Sequence, residues 1–150
     1  MIHSLIKRED DYAIRISAFL ASEYLDGCRS ISDIATYLAL SKPITSKIVH
    51  KLNKGGIVTS IRGRNGGVKL ASNPSKASFL DVLNATNFDI TLNECLRNSV
   101  ICPLINFCKT HVFWSELEQL VLDKLSKTYI SDFMFNEFEL TNSIKERTND

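Results

Sequence analysis

The fold of this chain is decided by residues 41–71, SKPITSKIVHKLNKGGIVTSIRGRNGGVKLA. The first half of this stretch repeats its apolar residues at helical spacing. The predicted inner stripe of that helix consists of Ile44, Ile48, Val49 and Leu52. The pair Gly55-Gly56 predicts the end of the helix. Residues 57–62 and 68–71 are then predicted as two strands around a glycine-rich turn, which makes a β-hairpin.

Two further helices are predicted before residue 41. Apolar residues at helical spacing predict the first of them from about Glu9 to Tyr24. The segment Ser30-Ile31-Ser32-Asp33 is typical of a capping box, because a serine is followed three residues later by an acidic side chain. It opens a short second helix, and Ser41 is predicted to cap the third. Two short helices around a tight break and then a hairpin are the element order of a winged helix-turn-helix.

The outward face of the third helix and the hairpin tip are polar and basic. The DNA major groove admits one α-helix, and an arginine on a tight hairpin can reach phosphates or a narrow minor groove. A basic, glycine-rich hairpin alone is typical of a solvated turn, but the ordered combination with the two helices favours DNA binding. We therefore expect DNA contacts from Lys42, Thr45, Ser46, Lys47, His50, Arg62, Arg64 and Asn65.

Charge is divided unevenly along the 150 residues, although the net charge is only +1. Residues 1–75 carry a net charge of +5, and residues 76–150 carry a net charge of −4. A basic first half beside an acidic second half indicates that the first half meets a polyanion.

The second half is predicted to be mainly helical. We expect a short helix at residues 78–85, an irregular segment at 87–100, a long helix at 108–127 and a short final helix at 129–138. The fold class is therefore mainly α with a small β-hairpin. We expect residues 1–75 to form the winged helix-turn-helix, residues 76–140 the cysteine loop and a dimerisation helix, and residues 141–150 a polar tail.

Three of the four cysteines, Cys95, Cys102 and Cys108, fall within 14 residues. Clustered cysteines outside an oxidising compartment favour metal binding or redox sensing over structural disulfides. A zinc site usually contains a pair of cysteines two to four residues apart, which is missing here. The wider spacing suits an iron–sulfur cluster. Buried unligated cysteines and a redox disulfide remain the alternatives.

A cluster held by three cysteines needs a fourth ligand. His111 follows Cys108 by three residues and can supply an imidazole, although a solvated histidine at a helix start is equally ordinary. Asp11 is the alternative fourth ligand and can reach the cluster of a second subunit. An aspartate in the first turn of a helix also has a simpler role in stabilising the helix dipole.

Several other classes of protein are disfavoured. The chain has no apolar run of about 20 residues, which a membrane-spanning helix needs, and its beginning lacks an apolar leader. We therefore expect a cytoplasmic protein with no membrane partner. No phosphate-binding glycine loop and no set of catalytic side chains can be assembled, so we expect no enzyme.

The chain resembles the Rrf2 family of bacterial winged-helix regulators along nearly its whole length. The matching segments are the wing and the cysteine loop, together with residues 11–15, 31–35, 52–58, Trp114 and 127–133. Two details differ from the common pattern: six residues rather than five separate Cys95 from Cys102, and Val68 replaces an aromatic residue.

The resemblance implies a homodimer joined by its long helices, which acts on double-stranded operator DNA as a repressor. It implies an iron–sulfur cluster on Cys95, Cys102 and Cys108, as in the iron–sulfur cluster regulators and nitric-oxide-sensing repressors of the family. His111 matches the histidine ligand of the iron–sulfur cluster regulators, and Asp11 matches the acidic ligand of the nitric-oxide-sensing repressors. A histidine ligand at His111 favours a 2Fe–2S over a 4Fe–4S cluster. A cluster-free regulator that senses through thiols or a partner protein is the alternative, and an interaction module that binds no DNA is a further one.

Overall fold

The computed structural model describes residues 5–98 and 102–139. Helix α1 (Arg8–Ser22) lies at the centre and contacts α2, α3, α4 and the hairpin. It begins where the Lys7 N–H donates to the Asp10 carboxylate at 2.9 Å, and its apolar stripe, including Ile16 and Phe19, is fully buried. The predicted first helix is confirmed to within two residues at either end.

Helices α2 (Ile31–Leu38) and α3 (Lys42–Lys54) form the predicted helix-turn-helix. The Ser30 hydroxyl accepts a hydrogen bond from the Asp33 N–H at 3.1 Å, and the Ser41 hydroxyl accepts one from the Ile44 N–H at 3.4 Å. Both caps satisfy backbone donors that the first helical turn leaves free. Ala39 turns the chain between the helices in the left-handed conformation, with φ of 53°.

The inner stripe of α3 differs from the prediction at one position. Ile44 is 44% exposed, whereas Thr45 is fully buried. The buried positions 45, 48, 49 and 52 follow one helical face, and Ile44 lies one residue, about 100°, away from it. Thr45 tolerates burial because its hydroxyl donates to the Ser41 carbonyl at 3.0 Å. The prediction that Ile44 is a core residue is therefore wrong.

The hairpin consists of β1 (Val58–Ile61) and β2 (Gly67–Leu70), paired antiparallel with Val58 opposite Leu70. Arg29 extends this sheet by one bridge, since its N–H donates to the Val68 carbonyl at 2.9 Å and its carbonyl accepts from the Val68 N–H at 2.8 Å. The hairpin is thereby fixed to the loop that precedes α2.

The second half contains α4 (Phe79–Ala85), α5 (Glu94–Arg97) and α6 (Lys109–Ser126), with short 3₁₀ turns at Pro74–Lys76, Ile105–Phe107 and Ile130–Phe133. The predicted short and long helices are confirmed. The segment predicted as irregular contains the single helical turn α5.

The predicted final helix at 129–138 is wrong over its first half. The Ile130 N–H donates to the Ala77 carbonyl at 2.9 Å, and the Thr128 carbonyl accepts from the Phe79 N–H at 2.8 Å. These groups pair with a distant part of the chain and Ile130 is fully buried, so the segment forms a 3₁₀ turn and continues in extended conformation at Met134. The expected polar tail, 141–150, lies outside the described residues.

The core joins the two halves of the chain. Val82 of α4 and Ile130 are buried in the same cluster as the apolar stripe of α1. Helix α6 differs, because none of its described residues is buried, and Phe113 and Leu120 are 55% and 65% exposed. No helix within 5–98 or 102–139 combines the length and the apolar character that crossing a membrane requires. The predicted fold class, mainly helical with one small hairpin, is confirmed.

Candidate DNA interface and cysteine site

The outward face of α3 presents four of the residues predicted to contact DNA. Lys42, Ser46, Lys47 and His50 are all exposed on this helix. Thr45 is not, because its side chain is fully buried against the core, so its predicted role in contacting DNA is wrong. Ile44, which the sequence pattern assigned to the core, is exposed in its place.

The wing tip presents the other three predicted residues. Arg62, Arg64 and Asn65 are exposed, and neither arginine forms an ion pair with any described residue. The turn that carries them is tight: Gly63 has φ of +118°, and a Cβ on Gly66 would lie 2.2 Å from the Ile61 carbonyl oxygen. The glycines therefore set the shape of the tip, since only glycine fits both positions without strain.

The α3 helix and the wing are connected at their sides. The Asn53 amide donates to the Ser60 hydroxyl at 3.0 Å, which ties the end of α3 to β1. Between the two elements lies an open groove of about 380 Å³, lined by residues that include Ser46, His50 and Asn53. Sequence reasoning missed Asn53, and its position on the outward face of α3 was the signal that could have found it.

The wing is also held from the α1–α2 loop. The Cys28 thiol donates to the Asn65 carbonyl at 3.2 Å, and a Cβ on Gly67 would lie 2.7 Å from the Arg29 carbonyl oxygen. Cys28, which had no predicted role, is thus a half-buried thiol that contacts the backbone of the wing tip.

An acidic side chain of α1 faces two lysines of α3. The Glu9 carboxylate lies 2.8 Å from the Lys51 ammonium and 3.6 Å from the Lys47 ammonium. The hydrogen bond from Lys51 is the main reason that the pKa of Glu9 lies below its usual range, and the charge of Lys47 acts in the same direction. Glu9 is therefore ionised and partly neutralises the charge of α3.

The three clustered cysteines are half-buried free thiols, each in a different local setting. Cys95 lies in α5, Cys102 precedes a 3₁₀ turn, and Cys108 is the N-cap residue of α6. The structure brings the predicted ligand His111 to Cys95, with 3.3 Å between its Nδ1 and the Cys95 sulfur. This pair is formed because α5 packs on α6.

The Cys108 thiol is activated by its position at the start of α6. Its sulfur lies 3.0 Å from the Thr110 hydroxyl. The hydrogen bond from Thr110 lowers the pKa of Cys108, and the backbone N–H of His111 lowers it further. Donors at a helix N-terminus stabilise a thiolate in this way.

The described residues do not contain three or more His, Cys, Asp or Glu side chains close enough together to hold a metal ion. Cys102 and Cys108 are therefore not assembled with the Cys95–His111 pair. Asp11, the alternative ligand, forms an ion pair with Arg15 on its own helix at 2.8 Å. The donor set still fits an iron–sulfur cluster chemically, because three thiols, one of lowered pKa, and an imidazole lie on one loop and the helix that follows it.

Comparison with known proteins shows which family the chain belongs to. Residues 6–136 match the Rrf2 family, described as iron-dependent transcriptional regulators. The HTH-type transcriptional regulator NsrR of Geobacillus kaustophilus is 31% identical over 138 residues, which cover 91% of this chain and 94% of that protein. The solved structure of CymR, the global cysteine regulator of B. subtilis, is 26% identical with a TM-score of 0.73, covering 88% of this chain and 95% of that one.

A third comparison concerns the fold alone. The structure of T. potens IscR has a TM-score of 0.67 at 24% identity and covers 85% of this chain and 83% of that chain. The relatives are transcription regulators rather than enzymes, as the sequence predicted. The chain therefore belongs to the Rrf2 family of DNA-binding transcription regulators.

Proposed function

We propose that this chain acts as a homodimeric repressor that reads operator DNA through α3 and the wing. Lys42, Ser46, Lys47 and His50 face the major groove from α3. Arg62, Arg64 and Asn65 hold the wing on the phosphate backbone or in the minor groove. Two such heads in one dimer contact half-sites about 34 Å apart. The observation that carries this proposal is that the wing tip presents two exposed arginines, which form no ion pair with any described residue, on a hairpin that is hydrogen-bonded to the basic helix α3.

Ile44 joins the proposed interface in place of Thr45. It lies in the first turn of α3, where recognition helices contact base edges, and it is 44% exposed next to the lysine face. An apolar side chain at such a position contacts the methyl group of thymine favourably. Ile44 therefore contributes to sequence preference rather than to phosphate binding.

A salt titration tests the role of the wing. Fluorescence anisotropy measures binding to the promoter fragment upstream of the protein's own gene over a range of KCl concentrations. We expect Arg64→Ala to weaken binding and to reduce the slope of log K against log[salt] by about one, because one phosphate contact is lost. Lys127→Ala, which removes a charge from a side chain that is 78% exposed beyond α6, is the matched control. Equal salt slopes for the two variants would contradict a phosphate contact by the wing.

We further propose that the signal is sensed by an iron–sulfur cluster held by Cys95, Cys102 and Cys108. His111 is the favoured fourth ligand, with Asp11 as the alternative. When bound, such a group supplies iron chemistry that responds to redox state, nitric oxide or iron supply. The family description as iron-dependent and the contact between His111 and Cys95 support this assignment. The segment from Cys95 to Cys108 leads directly into α6. Binding or loss of the cluster can therefore act through α6 on the distance between the two DNA-binding surfaces of the dimer.

Anaerobic purification followed by absorption spectroscopy and iron and sulfide assays tests the cluster. Brown protein with matching iron and sulfide supports it, and the iron count distinguishes a 2Fe–2S cluster, which histidine ligation favours, from a 4Fe–4S cluster. His111→Ala and Asp11→Ala then identify the fourth ligand by loss of the visible absorption. Colourless, iron-free protein after anaerobic reconstitution would overturn the proposal.

A cluster-free regulator is the second candidate. It is favoured by the absence, among the described residues, of three donors assembled around one point, and by the activated thiol of Cys108. In this case the cysteines are thiol switches, or a partner protein supplies the signal. Peroxide treatment of metal-free protein would then change operator affinity in the wild type but not in Cys108→Ser.

A further inference from the structure

The first turn of α1 supplies a counter-charge to the helix that reads DNA. Helix α3 carries Lys42, Lys47, Lys51 and Lys54 and no acidic residue. Among the described acidic side chains, Glu9 is the one that forms ion pairs with α3. It contacts two lysines that lie one helical turn apart, so a single carboxylate faces both of them.

The two lysines are held to different degrees. Lys51 lies 2.8 Å from the Glu9 carboxylate, and its side chain is 27% exposed. Lys47 lies farther away, at 3.6 Å, and its side chain is 66% exposed. Lys51 is therefore largely engaged by Glu9, whereas Lys47 is attracted by the same carboxylate but remains free to reach a ligand. Glu9 and Lys47 also line a shallow groove of about 220 Å³ between α1 and α3, together with Ile44 and Tyr12.

We propose that Glu9 is a specificity-determining positioning residue, which withholds Lys51 from DNA phosphates and orients Lys47 toward the bases. The inference rests on the proposed reading of DNA by α3. A lysine that reaches phosphate raises affinity for every sequence alike, because phosphate contacts carry no sequence information. Withholding Lys51 therefore lowers non-specific binding. Attraction by Glu9 restricts the long Lys47 side chain and thereby reduces the entropy lost when the operator complex forms.

The charge-removing variant Glu9→Gln distinguishes this role from a structural one. Anisotropy is measured on the operator fragment and on a scrambled duplex of the same length and composition, over a range of KCl concentrations. On the scrambled duplex we expect the salt slope to become steeper by about one, since one lysine is released to phosphate. We expect the ratio of operator to scrambled affinity to fall about fivefold. A change of this size is what the loss of one sequence-specific contact produces. A merely structural loss would weaken binding and leave the slope equal or shallower.

Two further variants complete the experiment. Glu9→Asp keeps the charge, so it should retain a salt slope close to that of the wild type. Adding Lys51→Gln to Glu9→Gln should return the slope to the wild-type value, because the released lysine is then gone. If the wild type distinguishes the two duplexes but the salt slope of Glu9→Gln is unchanged or shallower, the proposed role of Glu9 is overturned and the proposed reading of DNA by α3 stands. A wild-type protein that does not distinguish the duplexes overturns the proposed function as well.

Discussion

Thr45 and Ile44 are adjacent residues with opposite environments. Thr45 is fully buried with its hydroxyl bonded to the Ser41 carbonyl, and Ile44 is 44% exposed on the outward face of α3. A hydroxyl can enter a core when the backbone accepts its hydrogen bond, because the polar group is then satisfied. The polarity of a side chain is therefore a weak guide to which of two neighbours faces the core.

Thr45→Val tests the burial of this side chain. The substitution keeps the volume and removes the hydrogen bond to Ser41, so we expect a loss of about 1 kcal/mol in the free energy of unfolding. Denaturant unfolding at one protein concentration measures it. The salt slope of operator binding should stay at the wild-type value, as the side chain does not reach solvent. A loss of operator affinity without a loss of stability would contradict the burial of Thr45.

Cys108 is the cysteine whose thiolate the structure favours. Its pKa is lowered first by the Thr110 hydroxyl and then by the His111 N–H. In metal-free protein near neutral pH we expect Thr110→Val to slow alkylation of Cys108 by iodoacetamide, because the pKa returns toward its ordinary value and the thiolate fraction falls. Thr110→Ser keeps the hydroxyl and should alkylate at the wild-type rate. Mass spectrometry of the labelled peptide measures the rates, and equal rates for all three proteins would contradict the assignment.

At the scale of elements, the end of α3 lies close to α4 at one glycine. Gly55 caps α3 with φ of −80°, a conformation open to any residue. A Cβ at this position would lie 2.5 Å from the Ala85 Cβ and 3.1 Å from the Ala85 Cα. The sequence predicted Gly55 as part of a helix stop, and the structure adds a second requirement, which is space for α4.

Gly55→Ala should therefore destabilise the fold through overpacking, by about 1–3 kcal/mol in the free energy of unfolding. Ala85→Gly in the same chain removes the opposing Cβ. The double variant should lose less stability than the sum of the two single variants, because the two side chains contact each other. Additive losses in denaturant unfolding would show that the helices do not meet at this point.

At the scale of the whole molecule, α6 is a long helix whose apolar face is only partly covered by the described part of the chain. Its 18 residues include none that is buried, although Phe113 and Leu120 are large and apolar. A helix with an exposed apolar face is stabilised when a second surface covers that face. The proposed dimer supplies this surface, and it also sets the distance between the two DNA-reading heads.

Leu120→Glu tests this interface. A charge in the centre of an apolar contact must be desolvated without a partner, so we expect the variant to be monomeric at concentrations where the wild type is dimeric. Gln119→Glu places the same charge one residue away, about 100° around the helix, and should remain dimeric. Sedimentation equilibrium measures both masses. A dimeric Leu120→Glu would exclude this face as the interface.

The sequence by itself determined what depends on neighbours along the chain. The caps at Ser30 and Ser41 and the hairpin turn are set by contacts within a few residues, so local patterns predicted them. The exposed lysines of α3 were predicted because helical periodicity separates an outward face from an inward one, and the exposed wing arginines because they flank the glycines of a tight turn.

Only the tertiary structure decided what depends on distant partners. The 3₁₀ turn at Ile130–Phe133 replaces a predicted helix because the backbone at Thr128 and Ile130 is hydrogen-bonded to Phe79 and Ala77. The pairing of Glu9 with Lys47 and Lys51, and of His111 with Cys95, required the packing of α1 on α3 and of α5 on α6. Such contacts join residues 16 to 53 positions apart, and no periodicity in the chain records them, because their energy arises only when the elements pack.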